Sequence, residues 1–242
     1  MRASLTRDLR RKPPELHGGG GECWGLDWSA LAWLEGELEP GIGTLEIGAG
    51  TSTMVFAAAG TDHEAVTPDP VEQERILAEC ERRGISSTGV RFRIGLSHEV
   101  LPKLPQRPLD LALIDGAHGF PYPILDWWYV APRLRLGGRL LVDDCYMPPV
   151  AALVDFLRGH ESWETVATPG RRTIVVRKVA ETPPVFDWQG ERIGGGISFR
   201  HLPPLRRPRA AAAHRVLESR IGLRVVALTR QEPLSRITRR KR

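Results

Sequence analysis

The sequence predicts an α/β fold: a doubly wound, mostly parallel sheet closed at one end by an antiparallel hairpin. Three observations carry this. Short apolar runs alternate with amphipathic ones through the middle of the chain, a glycine turn follows the first apolar run, and the last two strand-like runs flank a Pro-Gly pair. At 242 residues, 41% hydrophobic and 26% charged, the chain is long enough for one such domain with appendages.

Taken in order, Leu31, Trp33, Leu34 and Leu38 suggest a helix from Asp27 that stops at Pro40-Gly41. GTLEIGAG (43–50) reads as a strand running into a glycine turn, and TSTMVFAAAG (51–60) as a helix with Thr51 as N-cap. HEAVT (63–67) is a strand, and residues 70–84 are a helix with a proline start and a glycine stop. VRFRI (90–94), LDLALID (109–115) and GRLLVDD (138–144) are further strands. SHEVLPKL (97–104), PYPILDWWYVAPRL (121–134) and PPVAALVDFLRGH (148–160) are the intervening helices. WETVAT and RRTIVVRKV, within 163–179, form the hairpin around Pro169-Gly170.

Three parts follow: a basic arm (1–21) ending in Gly18–Gly21, a central domain (22–180), and a Pro/Gly-rich basic extension (181–242). The net charge of +5 divides unevenly. Residues 1–12 carry +4, residues 205–242 carry +10, and the body between them carries −9. An acidic body argues against a domain whose main face grips nucleic acid, and leaves the basic tail as a weak hint of one. No run reaches the roughly 18 apolar residues of a membrane span, and the N-terminus lacks the pattern of a secretory signal. Three separated cysteines, Cys23, Cys80 and Cys145, make neither a disulfide framework nor a zinc module. The expectation is a cytoplasmic protein without a membrane partner; a homo-oligomer is left open.

In parallel sheets of this kind, ligands bind at the carboxyl ends of the strands, so the residues just after each strand are the informative ones. Glu46-Ile47-Gly48-Ala49-Gly50 follows the first strand, and its glycines allow close backbone approach to a ligand. A dinucleotide fingerprint needs a third glycine where Thr53 stands. Asp115 and His118 stand in LIDGAH, and Asp143 and Asp144 in LVDD. Three carboxylates at adjacent strand ends repel one another unless a cation neutralises them, and hard oxygen ligands suit Mg²⁺, Mn²⁺ or Ca²⁺. The plainer alternative is that Asp115 caps a turn and Asp143-Asp144 caps a helix entry. Consecutive strand residues face opposite ways, so Asp143 and Asp144 share an ion only if the chain turns between them.

In these motifs residues 43–179 resemble class I S-adenosylmethionine (SAM)-dependent methyltransferases, whose Rossmann-like fold matches the predicted one. The resemblance implies that Glu46, Gly48 and Gly50 cradle SAM and that an acid after the second strand holds its ribose. Thr67 stands at that acidic position, which leaves Asp69 as the carboxylate for the role. Ser97 and His98 would lie beside the adenine, with helix capping the other role open to Ser97. The DGAH and VDD segments are similar to those of metal-dependent small-molecule O-methyltransferases, of the catechol and macrolide-sugar kind. That similarity implies Asp115, Asp143 and Asp144 as ligands of a divalent cation, Mg²⁺ first, with Asp115 also beside the cofactor. It implies His118 as general base and a small hydroxylated molecule as acceptor. The alternatives are a metal-independent N- or macromolecule methyltransferase and a non-catalytic SAM- or nucleotide-binding module.

Overall fold

A computed structural model describes residues 4–16 and 25–181, together with 204–206, 208, 209, 211, 212 and 215. The chain divides into two units, Met1–Pro183 and Pro184–Arg242. In the second, the described residues include a single 3-10 turn, Pro204–Arg206. The Gly18–Gly21 segment and most of the basic extension (181–242) lie outside the described residues.

The first unit is built on a seven-stranded sheet. Its strands are β1 (Gly43–Ile47), β2 (Asp62–Thr67), β3 (Val90–Ile94), β4 (Leu109–Ile114), β5 (Leu134–Val142), β6 (Trp163–Ala167) and β7 (Ile174–Lys178). The spatial order is β3-β2-β1-β4-β5-β7-β6. The five strands from β3 to β5 are parallel, and β7 runs antiparallel between β5 and β6. Helices α1 (Leu5–Arg11), α2 (Trp28–Glu37), α3 (Thr51–Ala59), α4 (Pro70–Arg82), α5 (Ser97–Val100), α6 (Tyr122–Val130) and α7 (Pro148–Gly159) complete it. Leu9, Leu31, Leu34, Met54, Phe56 and Ile76 form a core on one sheet face. Leu101, Trp127, Val130, Leu153 and Phe156 form another on the opposite face. Coverage of both faces explains why the central strands are almost uniformly apolar.

Two boundaries differ from the sequence reading. Helix α6 ends at Val130, not 134, because Leu134 already pairs with Leu109 as the first residue of β5. Residues 5–11, basic enough to read as part of an arm, form a helix that buries Leu9 completely. The carboxylate of Glu35 accepts from the Ser4 hydroxyl at 2.8 Å and from the Leu5 and Thr6 N–H groups at 2.6 and 3.1 Å. It thereby holds the first turn of α1 against α2.

β1 and β4 lie side by side at the centre, with their following helices on opposite faces. Their carboxyl ends frame the crevice where the strand order reverses.

Candidate active site

The turn after β1 is held from behind. Glu46 is fully buried; one carboxylate oxygen accepts from the Ser52 hydroxyl at 2.6 Å and the other from the Thr53 hydroxyl. His63 Nε2 lies 3.2 Å from that second oxygen, and its ring stacks on Phe56. Both carboxylate oxygens are therefore spent inside the protein, where they pin the start of α3. The N–H of Gly50 donates to Thr53 Oγ1 at 2.9 Å, which makes Gly50 the N-cap in place of the expected Thr51.

Gly48 has φ +88°, and a Cβ there would lie 2.1 Å from the carbonyl oxygen of Asp115. Its N–H donates to the Val66 carbonyl at 2.9 Å. The glycine is demanded by the approach of β4, whereas the sequence pattern ascribes it to a ligand. Gly116 answers it from the other side, since a Cβ there would meet Ile47 Cγ2 at 2.7 Å.

After β2, Asp69 is exposed and caps α4 by accepting from the Val71 N–H at 2.8 Å. The Thr67 hydroxyl donates to Glu72 Oε2 at 2.6 Å. Glu72, in the first turn of α4, thus places its carboxylate against the last residue of β2. After β3, Ser97 is buried at the start of α5, and the His98 ring lies 5.4 Å from that of Tyr122. Beneath them Asp126 is completely buried. Burial raises its carboxyl to about 6, against opposing contributions from the Ser97 hydroxyl and His98.

Asp115, His118 and Asp144 converge at the ends of β4 and β5. His118 Nε2 lies 3.1 Å from Asp144 Oδ2 and 3.8 Å from Asp115 Oδ1, and one ligand-type atom from each residue falls within a 4.8 Å set. Asp144 reaches this set because it turns off the strand with φ +53°, a left-handed conformation that Asp tolerates better than most residues. Asp143, the residue just past β5, spends its carboxylate on other partners. Its Oδ1 accepts from the Thr173 hydroxyl and its Oδ2 lies 3.2 Å from Arg172 Nη2. Of the expected trio of aspartates, Asp115 and Asp144 fall in this set with His118, and Asp143 adjoins it through the shared guanidinium of Arg172.

Arg172, a plain hairpin residue by sequence pattern, is the internal counter-charge. Its Nη1 lies 3.2 Å from Asp144 Oδ1, and its Nη2 also donates to the carbonyl of Gly25. Burial pushes Asp115 up to about 7, with Asp143 and Asp144 adding repulsion and His118 opposing. His118 is raised by its contact with the Asp115 carboxylate, with burial working against it and Asp144 reinforcing it. Asp143 is raised by burial, against the pull of Thr173 and Arg172. Asp115 and Asp144 offer a divalent cation two hard carboxylate ligands of the kind Mg²⁺ and Mn²⁺ take, with the His118 imidazole beside them. Burial raises the Cys145 thiol to about 11, which keeps it out of nucleophilic chemistry.

Residues 45–145 match a family described as a methyltransferase domain. No curated protein sequence matches the chain. Among solved structures, the O-methyltransferase TomG from Streptomyces achromogenes, determined with SAM, is 17% identical. The match covers 65% of this chain and 82% of that one at a TM-score of 0.53. The O-methyltransferase NovP is 16% identical over 63% of this chain and 81% of its own, at 0.54. An rRNA methylase from Streptococcus thermophilus is 16% identical over 62% and 95%, at 0.51. At these identities the likeness is one of fold, and the family match, over residues 45–145, is to a methyltransferase domain.

Proposed function

We propose that this enzyme transfers the methyl group of SAM to a hydroxyl of a small acceptor at the carboxyl ends of β4 and β5, with His118 as general base. The observation that carries the reading is the meeting of Asp115, His118 and Asp144 beside the glycine turn after β1. In the transfer the methyl–oxygen bond forms as the sulfur–methyl bond breaks. The bonding pair stays on sulfur, giving S-adenosylhomocysteine, and the hydroxyl proton passes to His118 Nε2. The two carboxylates facing that nitrogen stabilise the imidazolium that results, which is what a base at this position needs. Glu46 acts at one remove, by fixing Ser52 and Thr53 at the start of α3. Asp115 and Asp144 would hold a divalent cation, which when bound lowers the pKa of the acceptor hydroxyl. The similarity to TomG and NovP, both O-methyltransferases, supports the hydroxyl as acceptor.

A second reading, metal-independent transfer to nitrogen or to a macromolecule, is favoured by Arg172. This cation already stands 3.2 Å from both Asp143 and Asp144 and relieves part of the repulsion that would otherwise call for a metal.

Incubation with SAM, Mg²⁺ and a panel of polyhydroxylated small molecules tests the proposal. Methylated product is expected, suppressed by EDTA. His118→Gln should lower turnover roughly 100-fold, the scale of a general-base contribution, while calorimetric binding of S-adenosylhomocysteine changes little. Turnover that EDTA leaves untouched would remove the cation. Methylation of RNA or protein but of no small hydroxyl would establish the second reading instead.

A further inference from the structure

A second charged site lies at the other end of the sheet. Asp62 and Glu64 stand at the start of β2, Arg91 and Arg93 on the adjoining β3, and Arg107 and Arg133 just before β4 and β5. Asp62 takes the short contacts, with Arg91 Nη1 at 2.6 Å and with Arg107 Nη1. Glu64 is buried and ringed at longer range. Arg107 Nη2 lies 3.3 Å from it, Arg93 Nη2 3.4 Å, Arg133 Nη2 3.5 Å and Arg91 Nε 3.7 Å. Four guanidinium groups thus share two carboxylates, an excess of two positive charges. Asp110, the acid at the start of β4, is already engaged by Arg135 at 2.6 Å and by the Gly43 N–H at 2.9 Å.

The donors are also under-used. Among the described residues, Arg91 Nη2, Arg93 Nε and Arg133 Nη1 are buried with neither a hydrogen-bond nor an ion-pair partner, while Arg107 Nη2 and Arg133 Nη2 have only the long contacts to Glu64. The Arg133 side chain is 1% exposed, whereas those of Arg91, Arg93 and Arg107 are 32–38% exposed. The cluster therefore has a buried cationic floor and solvent-facing walls. A buried guanidinium with idle donors is costly unless something accepts from it. The planar guanidinium fork matches the oxygens of tetrahedral oxyanions.

We propose that Arg91, Arg93, Arg107 and Arg133 form a receptor for a phosphate dianion, free or as a monoester, at the amino-terminal end of the sheet and separate from the methyl-transfer site. Two negative charges balance the excess, and the phosphate oxygens take the idle donors. The receptor is independent of the identity of the methyl acceptor.

Calorimetric titration of the full chain with inorganic phosphate at pH 8 and constant ionic strength tests it. One phosphate per chain is expected, with sulfate competing and chloride not. Glycerol phosphate binding as well as phosphate would mark a site open to monoesters, and phosphate alone would mark one for the free ion; both support the receptor. Arg93→Gln, at a partly exposed wall, should weaken binding at least tenfold, and Arg107→Gln serves where that variant does not fold. Arg82→Gln, on the exposed side of α4, should bind as the parent does. Absence of binding, equal affinity in Arg93→Gln and the parent, or dimethyl phosphate (a monoanion) binding as tightly as phosphate would each overturn the proposal.

Discussion

Asp126 shows how much one side chain's environment can decide. Its carboxyl is fully buried at α6 and raised from an ordinary 3.8 to about 6. In the unfolded chain it loses its proton near pH 4, while in the folded chain it keeps it until about pH 6. The unfolded state therefore binds fewer protons between those values, and stability falls as pH rises through that window. A difference of about two pH units corresponds to about 3 kcal/mol. Asp126→Asn keeps the shape and cannot ionise, so its stability relative to the parent should rise by about that amount from pH 4 to 6 and then level off. Urea unfolding at several pH values measures this; a constant difference between the two proteins would mean that the carboxyl titrates normally. Asp115, Asp143, Asp144 and His118 are legible in the sequence because they follow apolar runs that read as strands. The split between Asp143 and Asp144 is not, because it depends on the left-handed turn at Asp144. Arg172 is illegible for a different reason. It reaches the aspartates only because β7 pairs with β5, and that pairing is written in no local pattern.

At the scale of elements, glycine and capping chemistry explain both the successes and the misses. The β1–α3 and β2–α4 joints are readable from GAG and from Asp69-Pro70, which are local signals for a turn and a helix start. The end of α6 is signalled by Pro132, which disfavours helix at Ala131, but a reading that follows the apolar residues carries the helix on to Leu134, which the ladder with β4 makes the first residue of β5. The sequence pattern shows the glycine at 48 but not its cause, the carbonyl of Asp115 passing where a Cβ would stand. Gly48→Ala must move β4 away from β1 and hold alanine at φ +88°, so it should cost roughly 2 kcal/mol or more and disturb Asp115 with it. Gly36, near the end of α2, has an ordinary helical backbone, and a methyl group there would find nothing within 4 Å. Gly36→Ala should therefore stabilise by about 0.5–1 kcal/mol. Denaturant midpoints of the two variants should move in opposite directions, and a loss of similar size in both would disprove the contact argument.

For the first unit as a whole, the order β3-β2-β1-β4-β5 brings the glycine turn after β1 and the acidic end of β4 together. The hairpin then delivers Arg172 from just before β7, the strand next to β5. The element that the sequence pattern places outside this body is α1. Its charge suggests an arm, yet Leu9 and Leu16 are buried with Leu31, Leu34 and Ile76. Polar clips hold it in place: Glu35 at its first turn, Arg83 on Asp8 and on the Lys12 carbonyl, and Arg75 on the Leu16 carbonyl. Burial pushes Glu35 upward, but the hydrogen bonds from Thr6, Ser4 and Leu5 outweigh it, so its carboxyl sits below the usual range. It is thus ionised at neutral pH, as a partner for helix N–H groups should be. Glu35→Ala removes the acceptor for three donors and should cost about 2 kcal/mol, the scale of hydrogen bonds to a charged group. Because the loss falls on α1, trypsin should cut after Arg7, Arg10 or Arg11 markedly faster in the variant than in the parent, with cleavage of the sheet elements little changed. Equal rates at α1 would mean that Leu9 and Leu16 alone hold the helix down and that the carboxylate is incidental.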